Sequence, residues 1–402
     1  YHARDSAIVL GRIHHAKVIL GSATPSLESY YNATMDKYEL VSLDSRYGEA
    51  VLPEFSIVDM KEARRKRKIQ EDFSYELIEA IQNTLSNKEQ AIIFKNRRGY
   101  SPILQCDLCA WVPKCPNCSV SLTYHQYKKS LNCHYCGYNN PLPHSCGACN
   151  STKIKTVGSG TEKLEETLQL ILPEASIARM DLETTRSKSS YEKIISNFES
   201  GKINILVGTQ MVSKGLDFDH VNLVGVVDLD QMLHFPDFRS YERTYQLVTQ
   251  VSGRAGRRKK QGVVYIQTSN PDFQIIESIT NNDFLSFYHH ELFQRKQYFY
   301  PPFSRLIKIT IKDRDKNKSQ NCALELANKI RNRKINGVKL LGPEKPSIDK
   351  IRNYYLNDIL IKINRQQSHL QKIKHHLKDI AEHLNNLKEF KSCYIVFDVD
   401  VQ

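Results

Sequence analysis

Short apolar runs alternate with segments of helical periodicity through the first three quarters of the chain. The apolar runs predict strands at residues 16–20, 90–94, 176–180, 203–207, 221–227 and 262–267. The periodic segments predict helices at residues 75–86, 163–172, 189–198 and 241–252, whereas residues 45–75 show no regular pattern. Strands that alternate with helices in this way predict a mostly parallel α/β sheet covered by helices on both faces.

The last hundred residues follow a different pattern. Isoleucines alternate with polar residues over 306–312, which is typical of a half-buried strand, and further strands are predicted at 358–363 and 394–399. One helix is predicted at 318–333. A second is indicated by apolar residues that recur every three or four positions, at Leu370, Ile373, Leu377, Ile380, Leu384 and Leu387. We therefore expect a small α+β domain whose helices cover one face of a sheet.

Eight of the ten cysteines form four Cys-x-x-Cys pairs. The pairs are Cys106/Cys109, Cys115/Cys118, Cys133/Cys136 and Cys146/Cys149. This spacing suits a tight turn that points both sulfurs at one tetrahedral ion, so eight thiolates predict two closed zinc sites. Closed sites leave no open position for water and therefore build structure rather than perform chemistry. Spacing alone allows three ways of matching the pairs.

The charge and composition of the chain indicate its class of binding partner and its cellular compartment. The net charge of +13 and the pI near 9.1 favour a polyanionic partner, with nucleic acid as the first candidate, although a generally basic proteome would give the same balance. No apolar run reaches the roughly 18 residues that a membrane span needs. Clustered cysteines without a secretory leader indicate metal binding in a reducing, cytoplasmic compartment. The chain also lacks an initiator Met, so we expect it to be cut at its N-terminus.

Three further segments carry candidate chemistry. Residues 21–25 form a small-residue turn after a predicted strand, and residues 208–218 form a glycine-bounded loop after another. Such loops expose backbone amides and hydroxyl groups that can bind phosphates. Residues 250–257 end a helix with two arginines spaced by three, which suits the stabilisation of charge on a transferring phosphoryl group. Taken alone, the two arginines could equally complement the dipole at an ordinary helix C-terminus.

The order of these segments resembles one family. Gly-Ser-Ala-Thr-Pro-Ser (21–26), Phe-Lys-Asn-Arg-Arg-Gly-Tyr (94–100), the four cysteine pairs, Gly-Thr-Gln-Met-Val-Ser-Lys-Gly (208–215) and Gln-Val-Ser-Gly-Arg-Ala-Gly-Arg (250–257) are similar to the primosomal protein N′ (PriA) family of superfamily-two replication-restart DNA helicases. The resemblance extends over essentially the whole chain. It implies a RecA-like helicase lobe with an inserted two-zinc region and a C-terminal α+β DNA-binding domain. The implied domains are residues 1–44 (remnant of lobe 1), 45–104 with 153–296 (lobe 2), 105–152 (zinc insertion) and 297–402 (C-terminal domain).

The resemblance also implies a function and its residues. The function is ATP-dependent 3′-to-5′ unwinding at stalled forks, with ATP and Mg²⁺ as cofactors besides two zinc ions. The partners are forked, branched and single-stranded DNA, together with primosome and replication-restart proteins. Ser22 and Thr24 would couple hydrolysis to DNA, and Thr209, Gly215 and Asp217 would sense nucleotide and strand. Gln250, Arg254 and Arg257 would face the ATP phosphates, with Arg257 as the arginine finger. The family nests its cysteines, so that Cys106, Cys109, Cys146 and Cys149 hold one zinc and Cys115, Cys118, Cys133 and Cys136 the other.

Two helicase motifs are missing from the sequence. There is no Gly-x-x-x-x-Gly-Lys-Ser/Thr segment and no Asp-Glu dipeptide, which are the parts that hold ATP and its Mg²⁺. We therefore expect this polypeptide to bind zinc and DNA but to turn over ATP negligibly, and we expect residues before about 45 to pack poorly. The alternative is a non-catalytic zinc-ribbon scaffold that binds DNA or restart proteins. The arginine pair favours the helicase, because a scaffold needs no positioned arginines.

Overall fold

The computed structural model describes residues 2–43, 51–96, 103–118, 120–125, 130–157, 161–181, 184–185, 187–212, 218–256, 261–365 and 370–401. The chain folds as two compact units. The parallel-sheet unit consists of Leu40–Pro113 and Pro143–Tyr288, and the antiparallel-sheet unit of Tyr1–Glu39, Lys114–Leu142 and His289–Gln402. Within the described residues, none of the helices has the length and apolar character that a membrane span requires.

The elements of the described residues are as follows. The helices are α1 (Ala3–Ile13), α2 (Leu27–Thr34), α3 (Met60–Arg65), α4 (Tyr75–Ser86), α5 (Thr161–Ile171), α6 (Lys188–Glu199), α7 (Leu229–Leu233), α8 (Ser240–Ser252), α9 (Gln274–Thr280), α10 (Phe284–Gln297), α11 (Lys316–Asn332) and α12 (Leu370–Asn385). The strands are β1 (Glu54–Asp59), β2 (Ile69–Gln70), β3 (Phe73–Ser74), β4 (Gln90–Phe94), β5 (Ile103–Cys106), β6 (Thr123–His125), β7 (Ser130–Asn132), β8 (Asn139–Pro141), β9 (Ile154–Val157), β10 (Ile177–Met180), β11 (Ile205–Gly208), β12 (Val221–Val226), β13 (Val263–Thr268), β14 (Ser304–Asp313), β15 (Val338–Glu344), β16 (Lys350–Ile351), β17 (Tyr354–Asn364) and β18 (Tyr394–Val399).

The parallel-sheet unit is built on six strands in the order β1-β13-β12-β4-β11-β10, and every neighbouring pair is parallel. Every residue of β4 and of β11 is buried, as expected for central strands covered on both faces. Leu77 and Ile81 of α4 and Leu164 and Leu168 of α5 belong to one buried core with residues of β4, β11 and β12. The predicted α/β class is confirmed.

Two predictions about the N-terminal part of the chain are wrong. Residues 45–75 are not irregular throughout, because β1 pairs with β13 from Glu54↔Val263 to Asp59↔Thr268 and leads into α3. The side chain of Asp59 caps α3 by accepting hydrogen bonds from the backbone N–H groups of the first turn. Residues 16–20 form no strand. No strand of the described chain pairs with them, and Ile19 is 93% exposed.

The antiparallel-sheet unit contains a sheet in the order β15-β17-β14-β18, with β16 paired to β17. Helices α11 and α12 share one buried core with this sheet, which confirms that the apolar stripe of α12 is core. The chain order is β-α-β-β-α-β once the short β16 is set aside, so the predicted β-α-β-α-β order missed β15. The sequence Gly342-Pro343 near the end of β15 interrupts its strand pattern, and its register with β17 shifts between Leu341 and Glu344.

Candidate functional site

The eight paired cysteines gather into two clusters of four thiols. Cys106, Cys109, Cys146 and Cys149 form the outer cluster, and Cys115, Cys118, Cys133 and Cys136 form the inner cluster. Within each cluster all four sulfurs lie within 4.8 Å of one another. Of the three matchings that spacing allows, the structure thus has the nested one that the family resemblance implies.

The distances between sulfurs fit a tetrahedral zinc ion. Sγ of Cys106 lies 3.7 Å from Sγ of Cys149, and Sγ of Cys109 lies 3.5 Å from Sγ of Cys146. In the inner cluster, Sγ of Cys115 lies 3.6 Å from Sγ of Cys136. Zn–S bonds of about 2.3 Å place the corners of a tetrahedron roughly 3.8 Å apart, whereas a disulfide needs about 2.05 Å. Four sulfur donors at this spacing fit structural zinc.

Each Cys-x-x-Cys pair closes the same backbone turn. The N–H of the first cysteine donates a hydrogen bond of 2.7 to 2.9 Å to the carbonyl five residues later. These bonds run from Cys106 to Trp111, from Cys115 to Val120, from Cys133 to Tyr138 and from Cys146 to Ser151. The residue after the second cysteine has a left-handed φ in three of the turns: 60° at Ala110, 78° at Gly137 and 57° at Asn150. The turns therefore aim both sulfurs inward through local backbone geometry, which is why the spacing predicted them.

The outer cluster belongs to the parallel-sheet unit. Cys106 is the last residue of β5, which pairs with β9 in antiparallel fashion opposite Ile154. The antiparallel pair of β5 and β9 thus joins the two ends of the insertion, and this pairing begins at the cluster itself. Trp111 packs against Gly147, whose added Cβ would lie 2.7 Å from the indole ring, in agreement with a packing role for Trp111. Cys149 is exposed.

The inner cluster belongs to the antiparallel-sheet unit. Tyr300 donates a 3.0 Å hydrogen bond from its hydroxyl to the carbonyl of Cys118. The ring Nδ1 of His134 lies 2.7 Å from the carbonyl oxygen of Lys345, so this histidine bonds the chain before β16 and lies outside the four-sulfur set. Exposed His144 is also outside both clusters, and the side chain of His125 falls outside the described residues.

The thiols of each cluster differ in acidity. Hydrogen bonds with Cys118 and Cys133 lower the pKa of Cys115 to about 2, and the hydrogen bond with Cys115 raises the pKa of Cys133 to about 12. In the outer cluster, burial raises the pKa of Cys109 to about 12. At Cys146 burial acts in the same direction, but hydrogen bonds from the backbone N–H groups of Cys149 and Ala148 outweigh it and lower the pKa to about 7. Because zinc binds thiolates, its binding must release protons from the less acidic members.

A second polar cluster lies at the carboxyl edge of the parallel sheet, where α/β proteins usually bind ligands. Lys95, the residue after β4, is 2% exposed, and its Nζ lies 3.5 Å from Asp72 Oδ2 and 3.7 Å from Asp228 Oδ2. Asp228 follows the end of β12 with a left-handed φ of 61°. Burial raises the pKa of Asp228, and the charge of Lys95 opposes that rise. Sequence reasoning missed this cluster, although a lysine directly after an apolar strand was a usable signal.

The residues predicted to bind nucleotide are only partly described. Thr209 is buried and follows the carboxyl end of β11. Gln250 lies in the last turn of α8, and Arg254 follows the end of that helix. Two residues later, the N–H of Gly256 donates a 3.1 Å hydrogen bond to the carbonyl of Val221, the first residue of β12. Because the strands are parallel, Thr209 lies at the carboxyl ends of the strands and Gly256 lies at their amino ends.

The remaining predicted nucleotide and coupling residues are Ser22, Thr24, Gly215, Asp217 and Arg257. Ser22 and Thr24 belong to the antiparallel-sheet unit, where the N–H of buried Thr24 donates to Ser22 Oγ at 3.1 Å. Gly215, Asp217 and Arg257 lie outside the described residues. Within the described chain the structure therefore brings the cysteines together, and within the parallel-sheet unit it places Thr209 and the segment of Gly256 at opposite ends of the strands.

Three family models match the chain. The PriA DNA helicase Cys-rich region domain matches residues 115–141, the helicase conserved C-terminal domain residues 149–259, and the primosomal protein N C-terminal domain residues 296–402. Combined with the parallel sheet and the two thiol clusters, these matches establish a RecA-like helicase lobe with a Cys-rich insertion.

Known proteins resemble the chain over most of its length. The replication restart protein PriA of Bacillus subtilis is 44% identical over 366 residues, which is 91% of this chain and 45% of that protein. PriA of Haemophilus influenzae is 38% identical over 362 residues, 90% of this chain and 49% of that protein. The chain thus spans about half the length of these relatives. Among solved structures, RecG bound to a three-way DNA junction is 13% identical with a TM-score of 0.38, covering 67% of this chain and 26% of that one.

Proposed function

The chain belongs to the PriA family, and from that premise we propose that the complete protein is an ATP-dependent 3′-to-5′ DNA helicase of replication restart. In this proposal the chain supplies the second motor lobe, two structural zinc centres and the C-terminal domain. The observation that carries it is the insertion of a cluster of four thiols into a parallel-sheet lobe that matches the helicase C-terminal domain. A zinc ribbon without a motor has no use for a six-stranded parallel sheet.

The phosphate-facing role of the arginine segment is part of the proposal. Gln250, Arg254 and Arg257 would face the phosphates of ATP held with Mg²⁺ by the rest of the complete protein. The segment is supported for this role by its fixed backbone, because the N–H of Gly256 donates to the carbonyl of Val221 at 3.1 Å. From such a fixed backbone, a planar guanidinium can donate to the γ-phosphoryl oxygens as charge accumulates on them. Arg257 is proposed as the finger.

Thr209, Gly215 and Asp217 are proposed to sense the nucleotide and the DNA strand, and Ser22 and Thr24 to couple hydrolysis to movement on DNA. What supports the first assignment is the position of Thr209 directly after a buried parallel strand. What supports the second is a turn held together by its own hydrogen bond, from the Thr24 N–H to Ser22 Oγ.

The zinc centres are proposed to act through structure alone. A Zn²⁺ ion held by four thiolates supplies cross-linking and no open coordination position. The outer cluster would hold the two ends of the insertion at β5 and β9, and the inner cluster would hold residues 114–142 in the antiparallel-sheet unit. The predicted domain boundaries, at residues 44, 104, 152 and 296, remain proposals.

The proposed partners are forked, branched and single-stranded DNA, together with primosome and replication-restart proteins in the cytoplasm. The net charge of +13 supports a polyanionic partner. Cysteines that gather in fours, as metal ligands do, are typical of a reducing compartment.

The proposal is tested by unwinding of a forked duplex with a 3′ single-stranded tail, using the complete protein and ATP. Arg257→Ala should abolish unwinding while fork binding stays within about twofold, because an arginine finger is worth roughly 10³–10⁵ in rate. Arg65→Ala is the matched control, since Arg65 lies on α3 with its side chain 77% exposed. Fork binding without any ATP-dependent unwinding by the unaltered protein would favour the non-catalytic scaffold instead.

A further inference from the structure

A buried lysine lies one aromatic ring away from the inner cluster. Lys362 lies on β17, a strand paired on both sides, and is 2% exposed. Its Nζ donates to the carbonyl of Tyr298 at 2.8 Å and lies 3.4 Å from the centroid of the Tyr300 ring. Among the described residues no Asp or Glu is in salt-bridge contact with it. Burying an ammonium group is costly unless a negative charge compensates it.

Tyr300 connects this ammonium group to the inner cluster. The face of its ring meets Lys362, while its hydroxyl donates to the carbonyl of Cys118. On the cluster side, the ring of Tyr135, which lies between Cys133 and Cys136, is 6.4 Å from the ring of Tyr300. Burial lowers the pKa of Lys362 to about 8, the charge of Lys339 adds to that shift, and the charges of Cys118, Cys133 and Cys136 oppose it. The geometry thus places the ammonium group one aromatic ring away from the backbone of the inner cluster, where four thiolates would supply the compensating negative charge.

We propose that Lys362 is the counter-ion of the inner zinc centre, with Tyr300 as the side chain that positions it. Four thiolates around Zn²⁺ carry a net charge of about −2, and a buried site of this kind depends on the groups around its ligands. Because Lys362 lies in the middle of the sheet, this charge pairing joins zinc binding at residues 115–136 to the fold of the C-terminal sheet. The inference concerns structure and holds whether or not the protein is a helicase.

The outer cluster provides an internal comparison. Lys155, on β9 next to the Ile154 that lies opposite Cys106, already pairs with Asp107 at 2.6 Å. Cys149 is exposed, so water can solvate the charge of that centre. The two zinc sites of one chain thus differ in how their negative charge is compensated, by a buried ammonium group in one and by solvent in the other.

The test measures zinc release from the zinc-loaded chain to a coloured chelator, with a Cys106→Ser background to identify the inner site. Lys362→Met removes the charge while keeping the length of the side chain, and Lys362→Arg keeps the charge. We expect Lys362→Met to speed inner-site release by about 10- to 100-fold, as is typical when a group next to metal ligands is lost. Lys362→Arg should restore most of the slow release, and outer-site release, measured in chains that retain Cys106, should not change.

Lys372→Met is the matched control. Lys372 is exposed and lies on α12 of the same unit. Its loss should change inner-site release by less than about twofold, because exposed charges are screened. With Co²⁺ in place of zinc, Lys362→Met should also shift the sulfur-to-metal absorption band of the inner site, which a merely loosened fold would not do. Equal inner-site release in Lys362→Met and the unaltered chain, or faster release shared equally by Lys362→Arg, would overturn the proposal.

Discussion

Lys95→Met removes the cation that lies between two carboxylates at the carboxyl edge of the parallel sheet. Lys95 is 2% exposed, whereas the side chains of Asp72 and Asp228 are 31% and 22% exposed. Methionine matches the lysine stem in length, so packing around β4 should persist. Asp228 would then remain largely buried without its salt bridge.

The expected loss follows from these distances. At 3.5 and 3.7 Å, each ion pair is worth about 4–5 kcal/mol at an effective dielectric constant of about 20. Desolvation of the ions offsets much of this attraction, so the gross figures overstate the net value. Removing one partner of a buried pair typically costs about 3–5 kcal/mol. The partial exposure of both carboxylates favours the lower end, about 3 kcal/mol.

The pH dependence separates this mechanism from simple loss of packing. The pKa of Asp228 is already raised by burial, and Lys95 is the group that holds it down, so Lys95→Met should raise that pKa further. A carboxyl group with a raised folded-state pKa stabilises the fold at low pH and loses that contribution as pH rises through the folded-state pKa. The stability gap between the variant and the unaltered chain should therefore be largest near pH 7 and shrink in acid.

The assay is urea unfolding of the zinc-loaded chain at several pH values, followed by far-ultraviolet circular dichroism. Adding Asp228→Asn to Lys95→Met should recover most of the lost stability near pH 7, because it removes the buried charge. Asparagine also tolerates the left-handed backbone at this position. A gap that stays constant with pH, or a double variant no more stable than Lys95→Met, would refute the reasoning.

Three further predictions concern the zinc centres and α2. Elemental analysis should find about two zinc ions per chain. Cys106→Ser or Cys115→Ser should each lower the zinc content to about one, because the two clusters share no ligand. Loss of both ions from a single substitution would contradict this prediction. Under a chelator the outer ion should leave first, because Cys149 is exposed, as monitored by release kinetics in the two serine variants. Glu28→Gln should destabilise the antiparallel-sheet unit by about 3 kcal/mol in thermal unfolding, because it leaves Arg295, which is 2% exposed, without its 3.2 Å salt bridge.

Local patterns predicted the elements that depend on neighbouring residues. The helix Tyr75–Ser86 and the strand Gln90–Phe94 have the predicted bounds, because their burial is visible as apolar periodicity within each segment. The zinc turns were equally predictable, since a Cys-x-x-Cys pair determines its own backbone hydrogen bonds. In these cases the physical cause lies within about six to twelve residues of sequence.

The missed features depend on distant partners. β1 is an edge strand with Phe55 and Ile57 only half-buried, and it is a strand because β13 pairs with it. Lys362 appears in the sequence as an ordinary surface residue, and the groups that lie against Lys95 and Lys362, among them Asp72, Asp228 and the ring of Tyr300, come from distant parts of the chain. Periodicity cannot identify such partners, because a buried charge is stabilised by groups far away along the chain.

The most direct test of the proposed function is DNA-stimulated ATP hydrolysis, measured side by side for the complete protein and for this chain, both loaded with zinc. The account predicts hydrolysis that rises with forked DNA in the complete protein, disappears in Arg257→Ala, and is negligible for the chain alone. Comparable hydrolysis by the chain alone, or unchanged hydrolysis in Arg257→Ala, would contradict it.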